Sequence, residues 1–337
     1  GSLGIITACT LRVMSYRPYV RLYYRTFNQE DDFVSALANG AKDGELVDAL
    51  ILEQPSSVTS SHATDDIPGN DNDNVKDNGK NLGYVLMEGQ WLTAEEVDAQ
   101  ENNGVTLSLQ HWWSPWFFVH VDQKVWSCKG LIADGEVEAD LLRAEDYVFR
   151  YDRGAFWLGD HGFSHHPLSR LLFGYLTSSR ELYQALHTGY GEEQRSSLFL
   201  IQDIYTRSPA SLRGLLAYCH EYIPFRPVWI CPVRAASSSA QIFAPSALVD
   251  CQDGMCFNVG IYGVLETASA QHLRWLEEFL LQERGKCRKM LYATTLWSEK
   301  DFWTIYDRSR YQQLRQRYRA QSLVDIYRKV CRPVEES

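Results

Sequence analysis

His161, His165 and His166 lie in the run His-Gly-Phe-Ser-His-His, where spacings of four and five residues could set imidazoles for a metal on one face of a turn. Asp160 is the one adjacent carboxylate able to support them, and neutral loop histidines are commoner than ligands, so no metal is expected. Asp71-Asn72-Asp73-Asn74 has the alternation of a calcium loop but lacks the glutamate that closes one. Gly1 and Gly4, in Gly-Ser-Leu-Gly-Ile-Ile, could let a backbone approach a cofactor phosphate or ring closely, although glycines also serve a tight turn into a strand. From Arg308 to Arg332 eight basic residues meet one acid, Asp325, a net charge of +7 in a chain that totals −10. That segregation suits either a solvated helix face or attraction to nucleotide phosphates or an anionic membrane. No P-loop, GxSxG, HExxH or complete dinucleotide fingerprint occurs, which disfavours the kinase and hydrolase classes.

The elements that would position these residues read as a mixture. Residues 3–27 are β-rich, two strands joined near Tyr16 to Pro18, and residues 29–39 read as a helix opened by Glu30, Asp31 and Asp32. A strand ends at Ile51 and Leu52. Residues 54–81 are rich in Ser, Thr, Asn, Asp and Gly and read as a disordered insertion. Strands are expected at Gly83–Leu86, Gly104–Leu109, Leu198–Ile204, Cys256–Tyr262 and 290–297, with an edge strand between Pro224 and Pro232. Leu273, Leu276 and Leu280 predict a helix over 269–286 with Glu277 and Glu278 on its other side. Ser298 and Asp301 make a cap for a short helix carrying Phe302, Trp303 and Tyr306, and a last helix runs from Arg308 to Lys329. With no clean βαβ repeat, the class is α+β.

At 337 residues the chain exceeds the roughly 250–300 at which single cores stop growing, so more than one lobe is expected. A net charge of −10 has the wrong sign for a surface that tracks nucleic acid. Eight cysteines with no CxxC read as reduced thiols. No apolar run approaches membrane-spanning length, and no signal peptide opens the chain. The start without Met, inside an apolar segment, reads as the interior of a longer protein. Nineteen tyrosines, 14 phenylalanines and 10 tryptophans favour either a thick core or a roomy apolar ligand chamber.

Several ordered segments carry a resemblance: Gly1 to Val13, Ser114 to Val121 (Ser-Pro-Trp-Phe-Phe-Val-His-Val), Tyr151 to Trp157, Leu171 to Tyr175 (Leu-Leu-Phe-Gly-Tyr), Ile201 to Asp203 and Val228 to Pro232. Val259 to Gly263 (Val-Gly-Ile-Tyr-Gly), Met290 to Ala293 and Asp301 to Asp307, with Tyr311 and Leu314, complete the series. Together they resemble the FAD-linked Δ24-sterol reductases, nearly end to end outside residues 54–81. The resemblance implies a two-lobed flavoprotein of the vanillyl-alcohol-oxidase type, with the FAD pyrophosphate loop upstream of Gly1. Residues 1–15 would end the FAD-binding (PCMH-type) domain, 16–289 would form the cap or substrate domain, and 290–337 a C-terminal strand and helices.

The same resemblance implies reduction of an isolated side-chain double bond of a sterol, with NADPH reducing FAD, in the endoplasmic reticulum membrane. Membrane association would come through an N-terminal part not in this chain. Gly1, Ser2, Gly4, Ile5 and Ile6 would touch FAD. An unactivated alkene needs a proton before it accepts hydride. Tyr262 and Tyr292 are the acid candidates in matching segments, with Asp203 third, although capping a core strand with a hydrogen bond is the commoner role for such a tyrosine. Trp112, Trp113, Trp157 and Trp229 would line the apolar chamber and face a developing cation. Two alternatives stay open: a flavin oxidase of the same fold acting on a polyol or lactone, and a non-enzymatic lipid-binding or interaction module.

Overall fold

A computed structural model describes residues 1–53, 82–99, 105–127, 135–161, 165–189, 198–234, 254–265 and 269–331. The expected disordered insertion at 54–81 and the Asp/Asn-rich run within it lie outside the described residues. In chain order the elements are β1 (Tyr19–Phe27), α1 (Glu30–Asp43), β2 (Leu46–Glu53), β3 (Leu82–Leu92), α2 (Ala94–Asp98), α3 (Phe117–Ser127), β4 (Gly135–Arg143), α4 (Ala144–Val148), α5 (Pro167–Phe173) and α6 (Ser179–Gly189). There follow β5 (Phe199–Thr206), α7 (Pro209–Tyr222), β6 (Val228–Arg234), β7 (Met255–Val264), α8 (Ser269–Gln282), β8 (Cys287–Lys289), α9 (Glu299–Ile305), α10 (Arg308–Arg317) and α11 (Ile326–Val330). The chain forms two compact units, one of residues 17–191 with 213–231, the other of residues 1–16, 192–212 and 232–337.

In the first unit the strands pair antiparallel in the order β4-β1-β3-β2, and Val228 to Ile230 of β6 add beside Ala49 to Ile51 of β2. β1 alternates as a half-buried strand should, with Val20, Leu22 and Tyr24 fully buried. α1 begins with three carboxylates at its positive end and buries Phe33, Val34 and Leu37. α3, without acids in its first turn, buries Phe117, Val121 and Val125, one turn apart. Two buried acids anchor this unit. Asp140 accepts from Tyr24 Oη (2.7 Å), His120 Nε2 and Lys124 Nζ (2.8 Å each). Burial opposes its ionised form, but these donors win and hold its carboxyl well below the usual range. Asp48 accepts from Arg150 (2.9 Å), Tyr151 Oη and Trp229 Nε1 (3.0 Å each), and the Arg150 guanidinium lies 4.0 Å from the Tyr147 ring centre.

The second unit has a small antiparallel sheet, β7-β5-β8, with α8 to α11 in the same unit. Residues 269–282 form the helix that the leucine spacing predicts, but Glu277 faces inward and is buried. Glu277 follows Leu273 by one helical turn, so it shares the apolar stripe. There it accepts from Lys289 Nζ (2.7 Å), Thr295 Oγ1 (2.5 Å) and the Leu296 amide (2.9 Å to Oε2).

Four sequence expectations change. Residues 1–18 form no strand, because no described strand pairs with them, and Ile5, Ile6, Leu11 and Val13 are exposed. Residues 105–109 are not a strand either; the Thr106 and Leu107 amides share the Leu141 carbonyl instead of forming a ladder. The strand expected at 290–297 is the three residues Cys287–Lys289, after which the chain turns. The expected last helix breaks after Arg317, where Tyr318 closes it and Arg319 has φ of 52°.

Arg315 explains that break. It is buried, and its guanidinium donates to the carbonyls of Ser2 (2.8 Å), Gln321 (3.3 Å) and Leu323 (2.7 Å) and to Tyr311 Oη (3.2 Å). One cation gathers the carbonyls of a turn that has no helical donors for them. Arg315 is therefore not part of a solvated basic face, whereas Arg317 and Arg319 are exposed. Arg315→Ala should cost about 2–3 kcal/mol and lower Tm by several degrees, while Arg317→Ala changes stability by less than about 0.5 kcal/mol. Thermal unfolding of the two variants checks this.

Candidate active site

The register of β5 against β7 sets Asp203 opposite Gly260, Ile201 opposite Tyr262 and Tyr205 opposite Asn258. Opposed residues of an antiparallel pair share a sheet face, and alternate residues of one strand do too. Asn258, Gly260 and Tyr262 thus flank Asp203 on one face. Both Tyr262 Oη and Asn258 Nδ2 donate to Asp203 Oδ1 at 2.8 Å. Gly260 makes this possible: a Cβ there would sit 2.7 Å from Tyr262 Oη and 2.8 Å from its Cζ. The phenol ring occupies the space that a side chain at 260 would take.

Tyr292 arrives from the turn after β8. The Met290 amide donates to the Asp203 carbonyl at 2.9 Å, which pins the chain beside β5, and Tyr292 Oη then donates to Asp203 Oδ2. All three residues expected from sequence as proton donors meet in one cluster, within the second unit. Asp203 and Tyr262 are buried, while Tyr292 is 60% exposed. Enclosure of each hydroxyl, which at Tyr292 leaves the ring exposed, followed by the neighbouring Asp203 charge, pushes both phenols far above the usual tyrosine range. Phenolate is therefore costly at either position, and both stay protonated donors. Gly260→Ala should displace the Tyr262 ring and destabilise the unit by about 1–3 kcal/mol, visible as a lower Tm.

The other expected site residues fall elsewhere. Trp157 is buried beside Phe156 (5.7 Å between ring centres), and Trp229, half-buried, packs on the same ring at 5.4 Å while its indole serves Asp48. Trp112 and Trp113 touch edge to face at 4.4 Å and are exposed, Trp113 stacking on His111. The four tryptophans belong to two aromatic groups of the first unit. His165 pairs with Asp160 at 2.7 Å, and His166 Nδ1 accepts from the Leu168 amide at 3.3 Å. Among the described residues no three His, Cys, Asp or Glu side chains converge as a metal site.

Of the residues expected to touch FAD, Ser2 is buried and gives its carbonyl to Arg315, Ile5 and Ile6 are exposed, and a Cβ at Gly4 would meet nothing within 4 Å. These residues enclose no cradle by themselves. A polar cleft of about 470 Å³ in the same unit is lined by Arg308, Arg315, Asp325 and Arg328, among others. Arg308 there already pairs with Glu299 at 2.9 Å. Sequence reasoning missed Asn258 and the Glu277–Lys289 pair. The alternation Asn258-x-Gly260-x-Tyr262 was the available signal for Asn258, because a period of two puts all three on one face.

No protein-family model matches the chain. Curated proteins do. Proteins named Delta(24)-sterol reductase from Homo sapiens and Macaca fascicularis are 24% and 22% identical over 343 residues, which is 98% of this chain and 57% of each protein. One of that name from Arabidopsis thaliana is 24% identical over 342 residues, covering 95% of this chain and 55% of the relative. Over nearly its whole length this chain is similar to proteins named Delta(24)-sterol reductase. It spans little more than half the length of the reductases it matches. The expected resemblance thus extends over nearly the whole chain, and Asp203, Tyr262 and Tyr292 all lie in segments that carried it. Among the described residues no helix is long and apolar enough to cross a membrane.

Proposed function

We propose that the protein to which these residues belong reduces the Δ24 side-chain double bond of a sterol, and that Asp203, Tyr262 and Tyr292 manage the proton of that reaction. The similarity to the sterol reductases over 95–98% of the chain supports the reaction class. The cluster of two phenols and an amide on one buried carboxylate supports the residue roles. Residues 1–15 would then close an FAD-binding domain, and residues 16–289 would supply the cap. The reductants implied are FAD and NADPH, which together would supply the hydride that the alkene cannot draw from water. Gly1, Ser2, Gly4, Ile5 and Ile6 form no flavin cradle by themselves.

Reduction adds a proton and a hydride across the alkene, and the chain's residues account for the proton. Tyr292 is the open member of the cluster and Asp203 the enclosed one. At rest Asp203 is the carboxylate that all three donors serve. For turnover a solvent proton enters the Asp203–Tyr292 pair, reversing their hydrogen bond, and passes from Asp203 Oδ2 to Tyr292 Oη as the Tyr292 hydroxyl proton passes to sterol carbon 24. The sterol gains one proton, Asp203 ends as a carboxylate, and neither phenol becomes a phenolate. That coupling answers the high cost of ionising either tyrosine. Tyr262 and Asn258 donate to the carboxylate that remains and hold it in place. This ordering gives Asp203 a larger part than a third-ranked acid.

The experiment is sterol turnover by the complete protein in deuterated water, followed by mass spectrometry. A saturated side chain carrying one solvent deuterium at carbon 24 is expected. A Δ24-sterol left unchanged by flavin-loaded protein with NADPH would reject the reading.

A further inference from the structure

α5 buries none of its seven residues, although four of them are Leu or Phe. Leu171, Leu172 and Phe173 are 55%, 56% and 49% exposed, and Tyr175, just beyond, is exposed as well. Trp112 and Trp113 join them. Trp112 Nε1 donates to the Leu171 carbonyl at 3.3 Å, and a Cβ on Gly174 would lie 2.1 Å from the Trp112 carbonyl oxygen. The two segments are therefore one surface, supported by Arg153, which reaches the carbonyls of Gln110 and Gly174 at 3.4 Å each. Single exposed apolar side chains are normal on a protein; a contiguous group of this size is not.

Charge distribution identifies the occupant. In a chain with 43 Asp and Glu, residues 105–121 contain no charged side chain. Residues 165–180 contain no carboxylate but two arginines, Arg170 and Arg180. The face thus combines Leu and Phe with indole and phenol rings, which have an apolar body and a polar tip, and the carboxylates at its edge are few, with Asp160 held by His165 at 2.7 Å. We propose that this face docks on a lipid bilayer at the boundary between headgroups and acyl chains. It lies flat in the interface, since α5 is far too short to span. The proposal does not depend on the reduction chemistry.

The test is co-sedimentation of the chain with phosphatidylcholine vesicles, with and without phosphatidylserine, together with tryptophan emission. Binding is expected, tighter to the anionic vesicles, with a blue shift as Trp112 and Trp113 leave water. Leu172→Gln combined with Phe173→Gln should weaken vesicle binding by about 10-fold or more. Circular dichroism and Tm should stay unchanged, because neither side chain is buried. Failure to bind either vesicle, or equal binding by the double variant, would overturn the proposal. So would a dimer in sedimentation velocity that the same substitutions dissolve while vesicles go unbound, because the face would then belong to a second copy.

Discussion

Under the proposed function, Asp203→Asn in the complete protein is expected to slow sterol reduction by about 10²- to 10⁴-fold, the usual worth of a positioned proton donor. Asparagine keeps the shape and an oxygen that can accept from Tyr262 and Asn258, so the β5–β7 face should remain folded, but it can neither store nor return a proton. Tyr292→Phe should cost nearly as much, because it removes the hydroxyl through which the proton leaves. Tyr262→Phe should cost less, since that phenol only donates to the carboxylate. Flavin reduction by NADPH should keep its rate in all three variants, which separates proton delivery from misfolding. Sterol turnover measured by mass spectrometry decides the matter. Asp203→Asn turning over at the native rate would remove the cluster from the mechanism.

The largest stability effect is expected at Lys289. Its ammonium is fully buried, donates to Glu277 at 2.7 Å and to the Thr294 carbonyl at 2.8 Å, and lies 5.2 Å from the Trp297 ring centre. Replacing it with Met strands Glu277 as a buried charge without its cation, a loss of about 3–5 kcal/mol. Thermal unfolding should show a Tm drop on the order of 10 °C. Adding Glu277→Gln should recover part of the loss, because the amide oxygen can still accept from Thr295 while no charge remains.

The sequence alone determined the elements whose patterns are local. β5 and β7 follow from short β-rich runs, and α8 and α9 from helical spacing and a serine cap, because propensity, periodicity and capping act within a few residues. It also marked Asp203, Tyr262 and Tyr292 as carriers of transferable protons, through the segments in which they lie. Only tertiary structure decided that the three meet, since residues 59 and 89 positions apart are joined by strand register and by a turn after β8. The same holds where local pattern misled. Residues 1–18 are apolar enough for strands, yet a strand exists only where a ladder partner stands beside it. Glu277 reads as a surface acid until Lys289 and Thr295 are brought to it, because a carboxylate is tolerated inside only when distant residues supply its donors. Arg315 reads as one member of a basic run, and the carbonyls of Ser2 and of residues 321–323 turn it into an internal brace.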